Sequence, residues 1–81
     1  MNAPAPYGDL NAQVAQALTR LREMRGMSIA ELARRSGIGL RSLHRYMRGE
    51  RELTLGLVQA IAEALDYDAA DVLSLVKEGG E

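Results

Sequence analysis

Apolar residues recur every three or four positions along most of the chain, which is the spacing of helices with one buried face. The first such segment begins after Asp9, a residue that can cap a helix, and ends at Gly26, which suits a left-handed C-terminal position. Its apolar positions are Leu10, Val14, Ala17, Leu18 and Leu21. No segment alternates apolar and polar residues as a half-buried strand does, so the pattern predicts an all-helical chain.

The start of the second helix has the clearest local signal. Ser28 and Glu31 have the spacing of a capping box, in which the hydroxyl accepts a backbone amide and the carboxylate reaches back to the cap. Met27 and Leu32 occupy the two positions of a hydrophobic staple. These signals predict a helix over about residues 29–35.

A glycine-rich stretch separates this helix from the next. The letters "SGIG" over residues 36–39 stop the second helix at Gly37, and a third helix is expected over about residues 40–48, ending at Gly49. Two short helices joined by such a turn have the spacing of a helix-turn-helix motif.

Polar residues also mark the two C-terminal helices. Thr54 can cap a fourth helix, and Asp68 can cap a fifth with Asp71 three residues on. Asp66, between them, tolerates the left-handed conformation that follows a helix. The residues that the fifth helix is expected to turn inward are Val72, Leu73 and Val76.

The chain has 81 residues, the size of one small domain, and 47% of them are hydrophobic, which is enough for a core. Residues 1–8 include both prolines and show no periodicity, so we expect a flexible N-terminal arm there. The helical domain is expected over residues 9–76, followed by a frayed tail over residues 77–81.

The composition argues against several kinds of site. The chain has no cysteine, which excludes disulfides, thiolate metal sites and cysteine nucleophiles. It has one histidine and no obvious acid–base pair, so we predict no enzyme activity, no catalytic residue, no metal site and no cofactor. No apolar run approaches the roughly 20 residues that span a bilayer. The N-terminus has no signal-peptide pattern, so we expect no membrane association and a cytoplasmic location.

The formal net charge of -1 conceals an uneven distribution. Nine of the ten basic residues, all arginine, lie between Arg20 and Arg51 with only three acids, so this span has a formal charge of +6 and the rest of the chain −7. A GC-rich genome accounts for many arginines but less well for their clustering. One basic half indicates an oriented surface for phosphates, and arginine is suited to both phosphates and guanine edges.

Twelve residues occupy characteristic positions in register over four helices. They are Ser28, Glu31, Leu32, Ala33, Gly37, Ile38, Leu43, Gly49, Ile61, Ala62, Ala64 and Leu65. With this set, residues 10–75 resemble the Cro/repressor-type helix-turn-helix family, often called the Xre family. The resemblance implies an all-α, compact five-helix bundle of the lambda-repressor-like type with a central helix-turn-helix.

In that family the third helix lies in the DNA major groove and its early residues contact base edges. The resemblance therefore implies that the base-reading residues are Leu40, Arg41, His44 and Arg45. The helical wheel supports this assignment independently. At helical spacing, Arg41, His44, Arg45 and Arg48 share one face, and the opposite face is formed by Leu43, Tyr46 and Met47.

Each of these four side chains has a role that suits its chemistry. Arg41 is expected to make a bidentate contact with guanine, and Leu40 to contact a thymine methyl. Arg45 is expected on a second base or on a phosphate. His44 can donate to a guanine or, if charged, to a phosphate.

The phosphate-contacting residues are expected to be Arg22, Ser28, Ser42, Arg48 and Arg51. Three positions depart from the family pattern. Ile29 replaces a glutamine that contacts phosphate, and Gly39 replaces the usual hydroxyl cap of the third helix. Met47 replaces a glutamate that pairs with the arginine at position 22, so Arg22 is left either for phosphate or for Glu50.

We therefore predict a small Cro-like or repressor-like regulator of transcription that binds double-stranded DNA as a homodimer. The dimer contact is expected at Val72, Leu75 and Val76, or else Leu75 is a lone exposed apolar residue. Half-sites would lie about one helical turn, roughly 34 Å, apart. The alternative is an antitoxin or another helix-turn-helix module whose main partner is a protein.

Overall fold

Five helices form the regular structure of residues 7–79, which are the residues that the computed structural model describes, with side chains described through Val76. Their bounds are α1 Asp9–Arg25, α2 Ile29–Ser36, α3 Leu40–Met47, α4 Leu55–Ala64 and α5 Ala69–Gly79. The all-α fold class is confirmed. Most of the predicted arm, residues 1–6, and the last two residues of the predicted tail lie outside the described part.

Local capping signals determine most of the helix boundaries. The Thr54 hydroxyl accepts the Leu57 amide at 3.1 Å and begins α4. The Asp68 carboxylate accepts the Asp71 amide at 3.0 Å, and the Asp71 carboxylate accepts the Asp68 amide at 2.9 Å. Helix α5 therefore begins with a complete reciprocal cap. Asp66 has a φ of 66°, as expected for a residue that follows a helix.

Two predicted caps are corrected. Asp9 is the first residue of α1 rather than its cap, and the N-cap is Gly8, which makes no side-chain bond. Ser28 accepts the Glu31 amide at 3.1 Å, but the Glu31 carboxylate turns away from the cap and bonds to two arginines instead. Charge-assisted bonds to two guanidinium groups are stronger than one bond to a neutral amide, which accounts for the half-formed box.

Every helix or its end contributes a fully buried side chain to one core. The largest of these are Leu18, Leu32, Leu43, Ile61, Leu65 and Val72. Helix α1 packs against α3, α4 and α5, and α2 packs against α3 and α4. Within residues 7–79, no helix has both the length and the apolarity to cross a bilayer.

The orientation of α5 differs from the prediction at two positions. Leu73, expected to face inward, is 48% exposed, whereas Leu75 is half-buried and packs against the core with Val76. Val72, Leu75 and Val76 are spaced i, i+3, i+4, so together they form the inward stripe of the helix. The predicted dimer contact is therefore corrected at Val72, which has no accessible surface, and the other two residues serve mainly the core.

The tail prediction also needs an adjustment, because α5 continues through Gly79 rather than ending near Val76.

Arg25 joins the end of α1 to the turn between α4 and α5. Its guanidinium donates to the carbonyls of Leu65, at 2.9 Å, and Asp66, at 3.3 Å. The same group lies 4.6 Å from the centroid of the Tyr67 ring, a cation–π distance. This arginine belongs to the basic span of the sequence, yet it holds two parts of the bundle together.

Candidate nucleic-acid interface

The turn between α2 and α3 is held by its own backbone and by one serine. Gly37 ends α2 with a φ of 76° and bonds back to the Ala33 carbonyl. The Ser36 hydroxyl donates to the same carbonyl and accepts the Ile38 amide, both at 3.3 Å. Ile38 then packs against the core, which sets where α3 starts.

Helix α3 has an apolar face in the core and a basic face toward solvent. Leu43 is completely buried and Met47 is 9% exposed, while Leu40 on the other side is 46% exposed. Arg41 and Arg45 are exposed beside Leu40. Three of the four predicted base-reading residues thus lie together on the outer surface.

His44, the fourth, is half-buried on the same helix. It lies at the edge of the exposed face rather than at its centre.

The arginines of the basic span differ in what they bond to. Arg22 and Arg25 donate to backbone carbonyls, and Arg34 and Arg35 bond to Glu31. Arg41 and Arg45, on the exposed face of α3, have no hydrogen-bond or ion-pair partner within residues 7–76. Arg20 of α1 and Arg51 of the loop after α3 also have no such partner within these residues, so two of the four unpaired arginines lie on the outer face of α3.

The Glu31 cluster is the most strongly coupled charged group on α2. Hydrogen bonds from Arg34 and then Arg35 lower the pKa of Glu31, and the same contact raises the pKa of Arg34. Both arginines are thereby held along α2 beside an acid, so their net charge toward an external anion is reduced.

The loop after α3 presents two more predicted phosphate contacts. Gly49 allows the chain to turn at a φ of 75°, and the Glu50 amide bonds back to the Arg45 carbonyl at 2.9 Å. Arg48 lies 3.8 Å from the Glu50 carboxylate, and both side chains are largely exposed. Arg51 is exposed too, with its guanidinium 5.9 Å from the Tyr46 ring centroid.

The remaining predicted phosphate contacts have partial roles inside the domain. Arg22 is half-buried and donates to the Met27 carbonyl at 2.6 Å. Its proposed pairing with Glu50 does not form; Glu50 lies beside Arg48 instead. Ser28 uses its oxygen as the cap of α2, and Ser42 is half-buried on α3.

Asn11 is a residue that the sequence reasoning missed. It is 9% exposed, and its amide donates to the Arg51 carbonyl at 3.1 Å and accepts the Leu53 amide at 2.8 Å. These bonds attach α1 to the loop after α3 on both sides of Glu52. A signal was present, because Asn11 is in phase with the buried positions of α1, three residues before Val14.

Other α1 residues continue this contact along the end of α3. Thr19 donates to the Met47 carbonyl at 3.4 Å. A Cβ at the buried Gly49 would lie 3.7 Å from the Ala12 Cα and 3.9 Å from the Ala15 Cβ, which shows how closely α1 passes the end of α3. The position of α3 is therefore determined by α1 as well as by the turn before it.

No group of three or more histidine, cysteine, aspartate or glutamate side chains is placed to bind a metal ion within the residues that the structure describes. The chemistry available at this surface is that of cations, hydroxyls and one exposed leucine on a short helix. Such a surface recognises anions and hydrogen-bond acceptors.

The geometry defines the class of protein first. Two short helices meet through a glycine turn, the second is anchored by its apolar face, and its opposite face presents unpaired arginines; this is a helix-turn-helix domain. Residues 18–72 match the helix-turn-helix family HTH_3, so the chain belongs to that family. None of the curated protein sequences is significantly similar to the chain.

Solved structures agree with this assignment. The clp gene regulator ClgR from Corynebacterium glutamicum superposes with a TM-score of 0.85 at 27% identity, covering 90% of this chain and 95% of that one. The restriction-modification controller protein C.AhdI from Aeromonas hydrophila is 30% identical, with a TM-score of 0.70 over 75% of this chain and 92% of its own.

A third structure supports the fold alone. The controller protein C.Esp1396I, solved as a tetramer with its natural 35-base-pair operator, is 20% identical, with a TM-score of 0.80 over 85% of this chain and 91% of its own. The family match and the two regulators of 27% and 30% identity indicate a DNA-binding regulator of transcription, in a family of regulators rather than enzymes.

Proposed function

We propose that this protein binds double-stranded DNA by placing α3 in the major groove, where Arg41 and Arg45 contact base edges. The observation that supports this most directly is the difference among the arginines. Those of α1 and α2 that bond inside the domain hold it together, whereas the two on the outer face of α3 are exposed and unpaired within residues 7–76.

The position of each side chain along α3 suggests which base or phosphate it contacts. Arg41 lies in the first turn of α3, so it enters the groove deepest and forms a bidentate contact with guanine O6 and N7. Leu40 beside it meets a thymine methyl. Arg45, one turn later, contacts a second base or a phosphate, and the half-buried His44 reaches the edge of the groove with a shorter side chain.

Phosphates on either side of the groove are held by the flanking segments. Arg48 and Arg51, in the loop after α3, contact one strand, and Ser42 adds a hydroxyl. Arg22 still has N–H donors beyond the one it gives to Met27, and Ser28 keeps its hydroxyl proton as a donor, so both can also meet a phosphate.

We also propose that the protein acts as a homodimer on two half-sites about one helical turn, roughly 34 Å, apart. One α3 helix of eight residues contacts few base pairs, so two are needed for tight selective binding. A solved structure of similar fold is an operator-bound tetramer, which supports multimeric binding in this fold.

The role of Arg41 is tested by selecting binding sites from random duplexes with the wild type and with Arg41→Ala. We expect a preferred guanine in each half-site to lose about 1–3 kcal/mol of discrimination in the variant. Arg20→Ala is the matched control, because Arg20 is an exposed arginine of α1 that lies beside α5 rather than on α3. An unchanged preference with Arg41→Ala would show that another residue reads that base.

The alternative, in which the main partner is a protein such as a toxin, is supported only by the acidic C-terminal half of the sequence. Salt dependence separates the two. Three phosphate-contacting arginines per subunit give six per dimer, so the logarithm of the DNA association constant should fall with the logarithm of salt concentration with a slope of about −5. Absence of duplex binding at low salt, with stoichiometric binding to a protein, would favour the alternative.

A further inference from the structure

Three charged side chains form a cluster on the exposed side of α2. The Glu31 carboxylate accepts two hydrogen bonds from the Arg34 guanidinium, one to each oxygen, and a third from Arg35 at 2.9 Å. Two arginines therefore share a single acid, and the cluster keeps a formal charge of +1.

The cluster forms within one helix and needs no other part of the fold. Arg34 and Arg35 follow Glu31 by three and four positions, the spacings at which side chains of a helix meet. Bonds from Arg34 and then from Arg35 lower the pKa of Glu31, so the acid is ionised and holds both arginines at neutral pH. Without the acid, the two neighbouring guanidinium groups would repel each other and extend into solvent.

Stability does not account for this cluster. The side chains are 71% exposed at Arg34 and 45% exposed at Arg35, and exposed ion pairs contribute little to the free energy of unfolding. The cap of α2 does not depend on the carboxylate either, because the Ser28 hydroxyl accepts the backbone amide of Glu31. The main consequence of the cluster is therefore for the charge that α2 presents to an external anion.

The cluster belongs to the same motif as the proposed DNA-binding face. Arg35 is followed by the turn of residues 36–39 and then by α3, and Ser28, at the other end of α2, is a proposed phosphate contact. In helix-turn-helix complexes the first helix of the motif crosses the DNA backbone. With α3 in the groove, we therefore expect the exposed arginines of α2 to lie next to a phosphate strand.

We propose that Glu31 restrains sequence-independent binding to polyanions by holding Arg34 and Arg35 away from phosphates. This deepens the proposed function and rests on it for the identity of the polyanion, which is double-stranded DNA. Phosphates are the same in every sequence, so arginines of α2 that bound them would raise the affinity for every site on a DNA molecule alike.

The restraint acts by competition for the guanidinium groups. Arg34 gives its Nε and Nη2 donors, which form one edge of the guanidinium fork, to the Glu31 carboxylate. Arg35 gives its Nε to the same carboxylate. A phosphate that binds either edge must first displace the acid, whereas a neutral residue at position 31 leaves both edges free and adds one positive charge to the surface.

Counterion release sets the size of the effect. Each phosphate contact steepens the dependence of the logarithm of the association constant on the logarithm of salt concentration by about 0.9. Two additional arginine contacts per subunit steepen the slope by about 1.8. The gain in affinity for a duplex of random sequence should then be about tenfold larger at about 50 mM salt than at about 200 mM.

The test compares Glu31→Gln with the wild type by two measurements on the full chain. One is the salt concentration at which the protein elutes from immobilised heparin, a polyanion without bases. The other is fluorescence anisotropy with a random-sequence duplex between about 50 and 200 mM salt. Circular dichroism verifies that each variant is folded.

Two controls separate the arginines from the charge of the acid itself. Glu23→Gln changes the net charge equally, and Glu23 is an exposed acid of α1 that makes no ion pair within residues 7–76. The second control repeats Glu31→Gln in a background that carries both Arg34→Gln and Arg35→Gln, which completes a mutant cycle.

We expect Glu31→Gln to elute later than Glu23→Gln and to bind every duplex more tightly, with the steeper salt slope and with the base preference of the wild type. In the background without Arg34 and Arg35, the gain should fall to that of Glu23→Gln. A gain no larger than that of Glu23→Gln, or one that persists without the two arginines, overturns the proposal.

The wild type distinguishes this failure from that of the proposed function. A wild type that binds no duplex at low salt refutes DNA binding. In that case, a later elution of Glu31→Gln from heparin that requires Arg34 and Arg35 still supports the restraint by Glu31.

Discussion

Replacing Asn11 tests whether α1 holds the loop that follows the recognition helix. The wild-type amide makes two bonds with residues 40 and 42 positions away, one to the Arg51 carbonyl and one from the Leu53 amide. Asn11→Ala removes the side-chain amide and therefore both bonds, at a residue that is 9% exposed. The loop is then free to leave α1, and Arg51 moves with it.

The size of the effect follows from the two lost bonds. Each neutral hydrogen bond contributes about 0.5–1.5 kcal/mol, and a backbone group left unpaired in a partly buried site costs about as much again. We expect a loss of about 2 kcal/mol in the free energy of unfolding, which lowers Tm by roughly 8–16 °C for a domain of this size. Asn11→Asp at neutral pH should lose the bond to the Arg51 carbonyl, because a carboxylate cannot donate, but keep an acceptor for the Leu53 amide.

Thermal and urea unfolding, followed by circular dichroism, measure the stability loss. Gln59→Ala is the control, because Gln59 makes its bond to Glu63 on an exposed face of α4 and its loss should cost almost nothing. In DNA binding below the unfolding transition, Asn11→Ala should also show a shallower salt dependence than the wild type, since Arg51 is no longer held toward a phosphate.

The reasoning would be refuted if Asn11→Ala lost no more stability than Gln59→Ala. A destabilised variant with an unchanged salt dependence would instead show that the bonds support the fold without positioning Arg51.

Three further predictions concern the helix ends. Gly39→Ser should stabilise the protein by about 0.5 kcal/mol, because it adds a hydroxyl cap to α3 where a side chain meets open space. Gly49→Ser should cost about 1–2 kcal/mol, because Gly49 has a φ of 75°, which a residue with a side chain rarely adopts. Urea unfolding measures both changes, and equal effects would contradict this reasoning. The lowered pKa of Glu31 means that its stabilising effect is present at neutral pH and lost as pH falls through that pKa, and an NMR titration should find it shifted upward in Arg34→Gln. Arg25→Met should lose about 1–2 kcal/mol in thermal unfolding, because it breaks two carbonyl bonds and a cation–π contact; no loss would contradict that role.

Helix boundaries were predicted well because their signals are local. The Thr54 cap, the Asp68–Asp71 exchange and the left-handed Gly37 each involve residues no more than four positions apart. Interactions at that range depend little on the rest of the fold. The Glu31 error is of the same local kind, since the carboxylate had two neighbouring arginines as competing partners.

The candidate site was predicted in part for a related reason. The outward placement of Leu40, Arg41 and Arg45 follows from the period of one helix whose apolar residues are buried. The sequence did not distinguish these arginines from Arg25, which lies in the same basic span but bonds to a carbonyl 40 residues away. Charge counted along the chain cannot show which cations already have partners.

By itself, then, the sequence determined the helices, their ends and the two faces of α3, because capping and periodicity are properties of neighbouring residues. Only the tertiary structure decided the partner of Asn11, the inward face of α5 and the meeting of Leu10, Leu55 and Leu73 at one groove. These depend on which helices pack together, since a hydrogen bond or an apolar contact acts over a few ångströms however far apart its residues lie in the chain.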